Sequence, residues 1–202
     1  MPITMPPISN FGGMNRALGW VSLAAFIGCV PAANWLIAHF GTVCVSDGPC
    51  LIPVWLGILA PSGVLLAGLS FVLRDLVQEA LGILWAIAAV LIGGIIAAII
   101  ASPVLAVASV VAFLIAETVD LLVFTRLRRR GLVLASVASS VIGLLLDSLI
   151  FVQIAFGNPA YIVGQSIGKA WMVLAALPLL IAIQRARGRA VLPIVAVEVP
   201  KL

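Results

Sequence analysis

The sequence predicts an all-α integral membrane protein, a single bundle of six transmembrane helices. Three observations carry this. Charged residues make up 9% of the chain and hydrophobic ones 64%, with a mean hydropathy of +1.31, whereas an ordinary soluble domain is about a quarter charged. A surface so poor in charge cannot face water, so lipid must be the solvent for most of it. The apolar residues gather into six stretches, near 17–38, 52–73, 83–101, 103–125, 131–156 and 161–184, the second continuing as a helix to 80, against the roughly 20 residues that cross a hydrocarbon core. Little chain remains outside them, which leaves room for one membrane domain over 1–202, with 1–14 and 190–202 as loosely structured tails.

The first stretch exceeds the roughly 7–15-residue apolar region of a signal peptide and has no convincing A-x-A site, so it reads as a retained helix. Within PAANWLIAHF, Asn34 supplies an amide towards its outer end, and His39 closes it as an interfacial residue. Cys29 reads as packing. The loop GTVCVSDGPC follows, where Cys44 and Cys50 are open to a disulfide, which an oxidising outer compartment permits, or to two free thiols. The second helix starts apolar and continues into SFVLRDLVQEALG, where Arg74, Asp75, Gln78 and Glu79 crowd into little more than one turn.

The third stretch is apolar throughout, and the fourth ends in RLRRR, residues 126–130. Arg185, Arg187 and Arg189 follow the sixth, and Arg16 precedes the first. Positive loops stay in the cytoplasm. All three basic groups fall on one side if both termini are cytoplasmic, as an even number of spans requires, which suits a multi-pass protein of the cell (inner) membrane. Topology and anionic lipid headgroups account for the arginines without any nucleic acid partner. Trp20, Trp35, Trp55 and Trp85 fit an aromatic belt as well as a stacking platform.

Of the seven acids, Asp47 lies in the outer loop and Glu198 in the tail, while Asp75, Glu79, Glu117, Asp120 and Asp147 fall within or at the ends of helices. An acid in mid-membrane costs a few kcal/mol on insertion scales and faces a bundle interior or a water-filled cavity. Glu117 and Asp120 are three apart, on one helix face. Ser136, Ser140, Gly143, Asp147 and Phe151 form a stripe at steps of four, three, four and four. Gln165 and Lys169 are four apart, with Trp171 and Met172 close behind.

Each feature also has a plainer reading. Small-residue stripes serve close helix packing, Arg74 with Asp75 and Lys169 with one of the acids are possible structural ion pairs, and Glu79 suits an interface. Together they leave an imbalance, because Asp75, Glu117, Asp120 and Asp147 face only Arg74 and Lys169 inside the bundle. Such an excess suits a ligand rich in N–H donors, a cation or protons.

Catalytic constellations are missing. There is one histidine, no H-E-x-x-H and no G-x-S-x-G. GQSIGKA, residues 164–170, is one residue short of a phosphate loop and has Ala170 where the hydroxyl belongs. The chain therefore reads as a non-enzyme without metal or cofactor.

Five patches in order carry a family resemblance: AANWL at 32–36, SGVLLAGLSFVLRDLVQEALG at 62–82, FLIAETVDLLVFTRLRRR at 113–130, ASSVIGLLLDSLIFVQIAFG at 138–157 and GQSIGKAWMVL at 164–174. Together they resemble the queuosine precursor transporter family, also called vitamin-uptake-transporter-like. The resemblance implies a six-helix fold similar to the substrate-binding S-components of energy-coupling-factor vitamin transporters. It also implies import of 7-cyano- or 7-aminomethyl-7-deazaguanine across the inner membrane. Matched positions are Asn34, Asp75, Glu117, Asp120, Arg126, Asp147 and Lys169, and Leu144 departs where relatives often carry Asn.

A deazaguanine presents a ring N–H and an exocyclic amine that a carboxylate accepts, a carbonyl that needs a donor, and a flat face. The expected substrate contacts are accordingly Glu117, Asp120 or Asp147 on the base edge, with a spare carboxylate to neutralise an aminomethyl cation. Lys169, with Gln165 or Asn34 as alternatives, would hold the carbonyl, and Trp171 or Phe151 would stack on the ring. Arg74, Asp75, Gln78 and Glu79 would form a structural or gating group at the inner end. A substrate-binding subunit dependent on a separate ATPase module is the alternative, a membrane enzyme or assembly factor a remoter one, and a homodimer or an energising module remains open as partner.

Overall fold

The computed structural model describes residues 13–45, 49–100, 103–157 and 159–190. Among them the chain forms six helices: α1 (Gly13–His39), α2 (Val64–Leu81), α3 (Ile83–Ile100), α4 (Pro103–Leu127), α5 (Leu132–Phe156) and α6 (Ala160–Ala190). A single 3-10 turn, Arg128–Arg130, joins α4 to α5. Between α1 and α2 lies a small antiparallel sheet of β1 (Val43–Cys44), β2 (Cys50–Trp55) and β3 (Ile58–Pro61), in the order β1-β2-β3. Five helices contain stretches long and apolar enough to cross a membrane: Arg16–His39, Ile83–Ile100, Val107–Arg130, Leu132–Ala155 and Tyr161–Ala186.

The sheet corrects the sequence reading, which took 52–80 as one helix. Its first third is a hairpin. CLIPVW is rich in β-branched and aromatic residues, and a short apolar run of this kind reads equally as strand or helix. Proline decides it. Pro53 and Pro61 have no N–H for a helical ladder, and the pairing of β2 with β3 shifts register between Pro53 and Trp55, where a proline is tolerated in a sheet. Cys44 and Cys50 are joined by a disulfide across β1 and β2, which resolves the two alternatives. Smaller differences lie at the ends: α1 starts at Gly13 and α6 runs to Ala190, so those ends of the expected tails are helical. Asp47 and Glu198 lie outside the described residues.

Helix α2 also departs from a simple span. It carries Arg74, Asp75 and Glu79 in 18 residues and is absent from the apolar set above. Every other helix touches it, and Val64, Gly68, Ser70, Phe71, Val72, Arg74, Asp75, Leu76, Val77 and Gln78 are buried along it. It meets protein rather than lipid, so polar groups on it find partners. Gly82, at φ 99°, then breaks the chain between α2 and α3 in a conformation that glycine adopts without steric cost.

The helix ends sort into two layers. At one end, the start of α1 meets the end of α2, where a Cβ on Gly19 would press against Leu81. Gln184 Oε1 there accepts the Val133 N–H at 2.9 Å, joining the end of α6 to the start of α5. Arg16, Arg126, Arg129, Arg130 and Arg185 are exposed at this end, and Arg128 pairs with Glu79 at 3.5 Å. Trp20 and Trp85 meet edge to face beside it at 4.7 Å. At the opposite end, Trp35 stacks on His39 at 5.1 Å and Trp55 on Trp171 at 5.9 Å. Aromatic pairs at both ends, with exposed Leu, Ile and Val between, mark two interfaces around an apolar band.

Candidate functional site

The polar side chains inside the bundle form two clusters at different depths. The deeper one centres on Arg74, which is fully buried. Its Nη1 lies 3.1 Å from Asp75 Oδ1, its Nε donates to Glu117 Oε2 at 3.2 Å, and its Nη2 approaches Asp120 Oδ1 at 2.7 Å, off the line of a good hydrogen bond. Nη1 also donates to Gln78 Oε1 at 3.3 Å, and Gln78 Nε2 donates to Thr125 Oγ1 at 2.7 Å. From α5, Ser139 Oγ donates to Asp75 Oδ2 at 3.3 Å. One guanidinium thus ties α2 to α4, and Asp75 carries the tie on to α5. Its five donors in a planar fork suit it to hold several carboxylates at once.

The outer cluster centres on Lys169. Its ammonium donates to Asp147 Oδ2, to Ser148 Oγ at 2.9 Å and to Gln165 Oε1 at 3.1 Å. An ammonium has three N–H donors, so all three are engaged within the protein. What remains available is the second oxygen of Asp147 and the amide nitrogen of Gln165. Lys169 reaches this position because α6 packs closely on α2 at Gly68, where a Cβ would overlap the backbone of Lys169. Small residues allow such close approach between membrane helices.

Asp147, Gln165 and Lys169 line a cavity of about 130 Å³ together with Asn34, Ser70, Ser109, Phe71, Phe113 and Phe151. Its remaining wall includes Cys29, Pro61 and Gly63 and is mainly apolar. An apolar hollow with a few convergent polar groups is the usual form of a small-molecule site. Asn34 Nδ2 donates to Val30 O at 3.0 Å, which leaves its carbonyl oxygen as an acceptor. The two clusters meet at Ser70. It lines the cavity, and its hydroxyl lies 2.8 Å from Ala67 O and 3.3 Å from Glu117 Oε1, one hydrogen facing two acceptors.

Several expectations change here. Asn34, Asp147, Phe151, Gln165 and Lys169 come together at the cavity, but Glu117 and Asp120 do not line it, because Arg74 holds them below. No spare carboxylate therefore reaches the cavity from that cage. Trp171 is 43% exposed, with its Nε1 donating to Val54 O at 2.9 Å and its ring on Trp55, so it braces the hairpin from outside. Glu79 pairs with Arg128 at the basic end. Arg126 is exposed on the basic end. Leu144 is 3% exposed, packs in the core with Phe71 and Phe124, and is not among the residues that line the cavity.

The serine stripe divides. Ser136 and Ser140 are buried, Gly143 lets α5 close on Phe71 and Asp120, and of the stripe only Asp147 and Phe151 open on the cavity. The sequence reading missed Ser70, Phe71, Ser109 and Phe113. A signal existed for three of them. Ser70 and Phe71 precede Arg74 by four and three residues, and Phe113 precedes Glu117 by four, the spacings that place them on the same helix face one turn away.

The C-terminal half of the chain has a known likeness. Residues 97–183 match a family described as "Putative vitamin uptake transporter". The match runs from the last turn of α3 through most of α6 and takes in Asp147, Gln165 and Lys169, while α1, the hairpin and α2 lie outside it. It supports a place in that transporter family. No curated protein and no solved structure matches the chain.

Proposed function

We propose that this chain imports a small, flat, nucleobase-like solute across the membrane, with 7-deazaguanines bearing a 7-cyano or 7-aminomethyl group as the leading substrates. The observation that carries the proposal is the cavity, where the free oxygen of Asp147 and the amide nitrogen of Gln165 meet three phenylalanine rings. Asp147 accepts from the ring N–H and the exocyclic amine. Gln165 donates to the carbonyl, with Asn34 as a further acceptor. Phe71, Phe113 and Phe151 cover the faces, since aromatic pairs favour offset or edge-on contact. Lys169, first expected on the carbonyl, instead positions Asp147 and Gln165.

The Arg74 cage lies outside the cavity lining and meets it through Ser70, which joins the site to the helices that must shift for release. The basic end faces the cytoplasm and both termini lie there, in keeping with the positive-inside rule. The test is uptake of labelled deazaguanine into proteoliposomes that hold this chain alone. The solute should accumulate chemically unchanged. Accumulation only with an added ATPase module would move the chain to the substrate-binding components, and a modified product would make it an enzyme.

A further inference from the structure

We infer that Glu117, linked to the cavity through Ser70, binds a proton together with a neutral solute, so that a neutral deazaguanine enters with a proton and an aminomethyl cation enters without it. The inference rests on the reading of the cavity as a deazaguanine site. Asp75, Glu117 and Asp120 surround the single guanidinium of Arg74, and all four are fully buried. With every acid ionised, the cage carries an excess of negative charge. Neither oxygen of Asp120, nor Asp75 Oδ1, has a well-aligned hydrogen bond among the described residues. The elements packed on α4 add no cation to offset this. Helix α3 carries no charged residue, and Asp147 on α5 is paired with Lys169. At the basic end Arg128 turns to Glu79, while Arg126, Arg129 and Arg130 are exposed.

Ser70 marks where a proton fits. Its Oγ lies 2.8 Å from Ala67 O and 3.3 Å from Glu117 Oε1, so one hydrogen serves two acceptors. A proton on Glu117 Oε1 removes the conflict. The carboxyl O–H then donates to Ser70 Oγ, and the Ser70 O–H donates to Ala67 O. Ser70 lines the cavity, whereas Glu117 does not. Its hydroxyl can take a proton delivered by water in the cavity and pass its own hydrogen to Glu117. Only O–H bonds are exchanged, and the carboxylate becomes a neutral acid.

Solute binding supplies the reason for loading. Water in the open cavity offsets part of the negative charge, and a flat solute that fills the cavity expels that water. Uncompensated charge in a water-poor interior is costly, and a proton or a bound cation relieves it. A neutral solute brings no charge, so a proton joins it. An aminomethyl cation brings its own.

The probes are 7-cyano-7-deazaguanine, which is neutral, and 7-aminomethyl-7-deazaguanine, which is cationic. Binding to the purified full chain is measured by calorimetry in buffers of different ionisation enthalpy from about pH 6 to 9, with the titration of each compound alone subtracted. The 7-cyano compound should bind with uptake of a proton, and its affinity should fall by up to about tenfold per pH unit on the alkaline side. The 7-aminomethyl compound should bind without uptake. Glu117→Gln should abolish both the uptake and the pH dependence for the 7-cyano compound, and shift preference towards it. Infrared difference spectra provide a second measurement. Binding of the 7-cyano compound should add a protonated-carboxyl band, and Ser70→Ala should move that band, because Ser70 meets Glu117.

The inference is overturned if the 7-cyano compound binds without proton uptake, if both compounds take up a proton alike, or if the pH dependence survives Glu117→Gln. If Glu117→Gln does not fold, a carboxyl band that Ser70→Ala leaves in place overturns it. Failure of both compounds to bind would instead overturn the deazaguanine reading on which it rests.

Discussion

Arg74 and Lys169 are both cations buried in a membrane-embedded bundle, yet their surroundings differ in kind. Arg74 sits among Asp75, Glu117 and Asp120, away from the cavity, with Gln78 as a fourth acceptor. Lys169 has one acid, one hydroxyl and one amide, and stands on the cavity wall. The guanidinium spreads its donors over two helices, and loss of any one contact leaves others in place. The ammonium is matched donor for acceptor, and Asp147 and Gln165 each keep a second polar atom that can turn outward. The first arrangement locks helices, and the second prepares a surface.

Removing each charge should separate these roles. Arg74→Met leaves three buried acids without a cation, and breaking such an arrangement costs about 3–5 kcal/mol. Little monodisperse protein should elute on fluorescence-detected size exclusion. Arg74→Lys should recover it only in part, since one ammonium cannot replace a planar fork. A well-folded Arg74→Met protein would show that the cage is not the lock described.

Asp147→Asn should act on binding before stability. A hydrogen bond to a charged group contributes about 1.5–3 kcal/mol, so affinity for the neutral deazaguanine should fall roughly 10- to 100-fold. Thermal unfolding in detergent should move less than it does for Glu117→Gln, which disturbs the cage. The reverse order would erase the distinction between the clusters.

Gly68→Ala tests how the Lys169 site is held. Its Cβ would meet the backbone of Lys169, and overpacking of this kind costs about 1–3 kcal/mol. Melting temperature and affinity should fall together, because α6 carries both Gln165 and Lys169. An unchanged melting temperature would mean that α6 does not depend on this contact.

Trp171→Phe should have the smallest effect. It removes the hydrogen bond to Val54 O, about 1 kcal/mol, and keeps an aromatic ring near Trp55. Ligand affinity should stay at the level of the unaltered protein, because Trp171 lies outside the cavity. A marked loss would restore the stacking role first expected of it.

The extent to which the site was legible depended on what each residue touches. Asp147, Gln165 and Lys169 were visible because charge and amide groups are rare in lipid-facing sequence, and spacing placed the last two on one face. Glu117 and Asp120 were equally visible as buried acids. Their spacing could not say that both turn to Arg74 on another helix. The aromatic walls were hidden among many apolar residues, and Trp171 drew attention that its exposed position does not support. The hairpin was missed because apolar strands and apolar helices share a composition, and two prolines were the cue.

From the sequence alone came the solvent, the helical class and the set of polar groups that must be satisfied inside, because transfer of charge out of water is costly wherever it occurs along the chain. Only the tertiary structure decided which acid meets which cation and which of them borders open space. Pairing between helices depends on their relative rotation and depth, and those are fixed by close contacts such as Gly68 on Lys169 and Gly143 on Phe71, which no single helix specifies by itself.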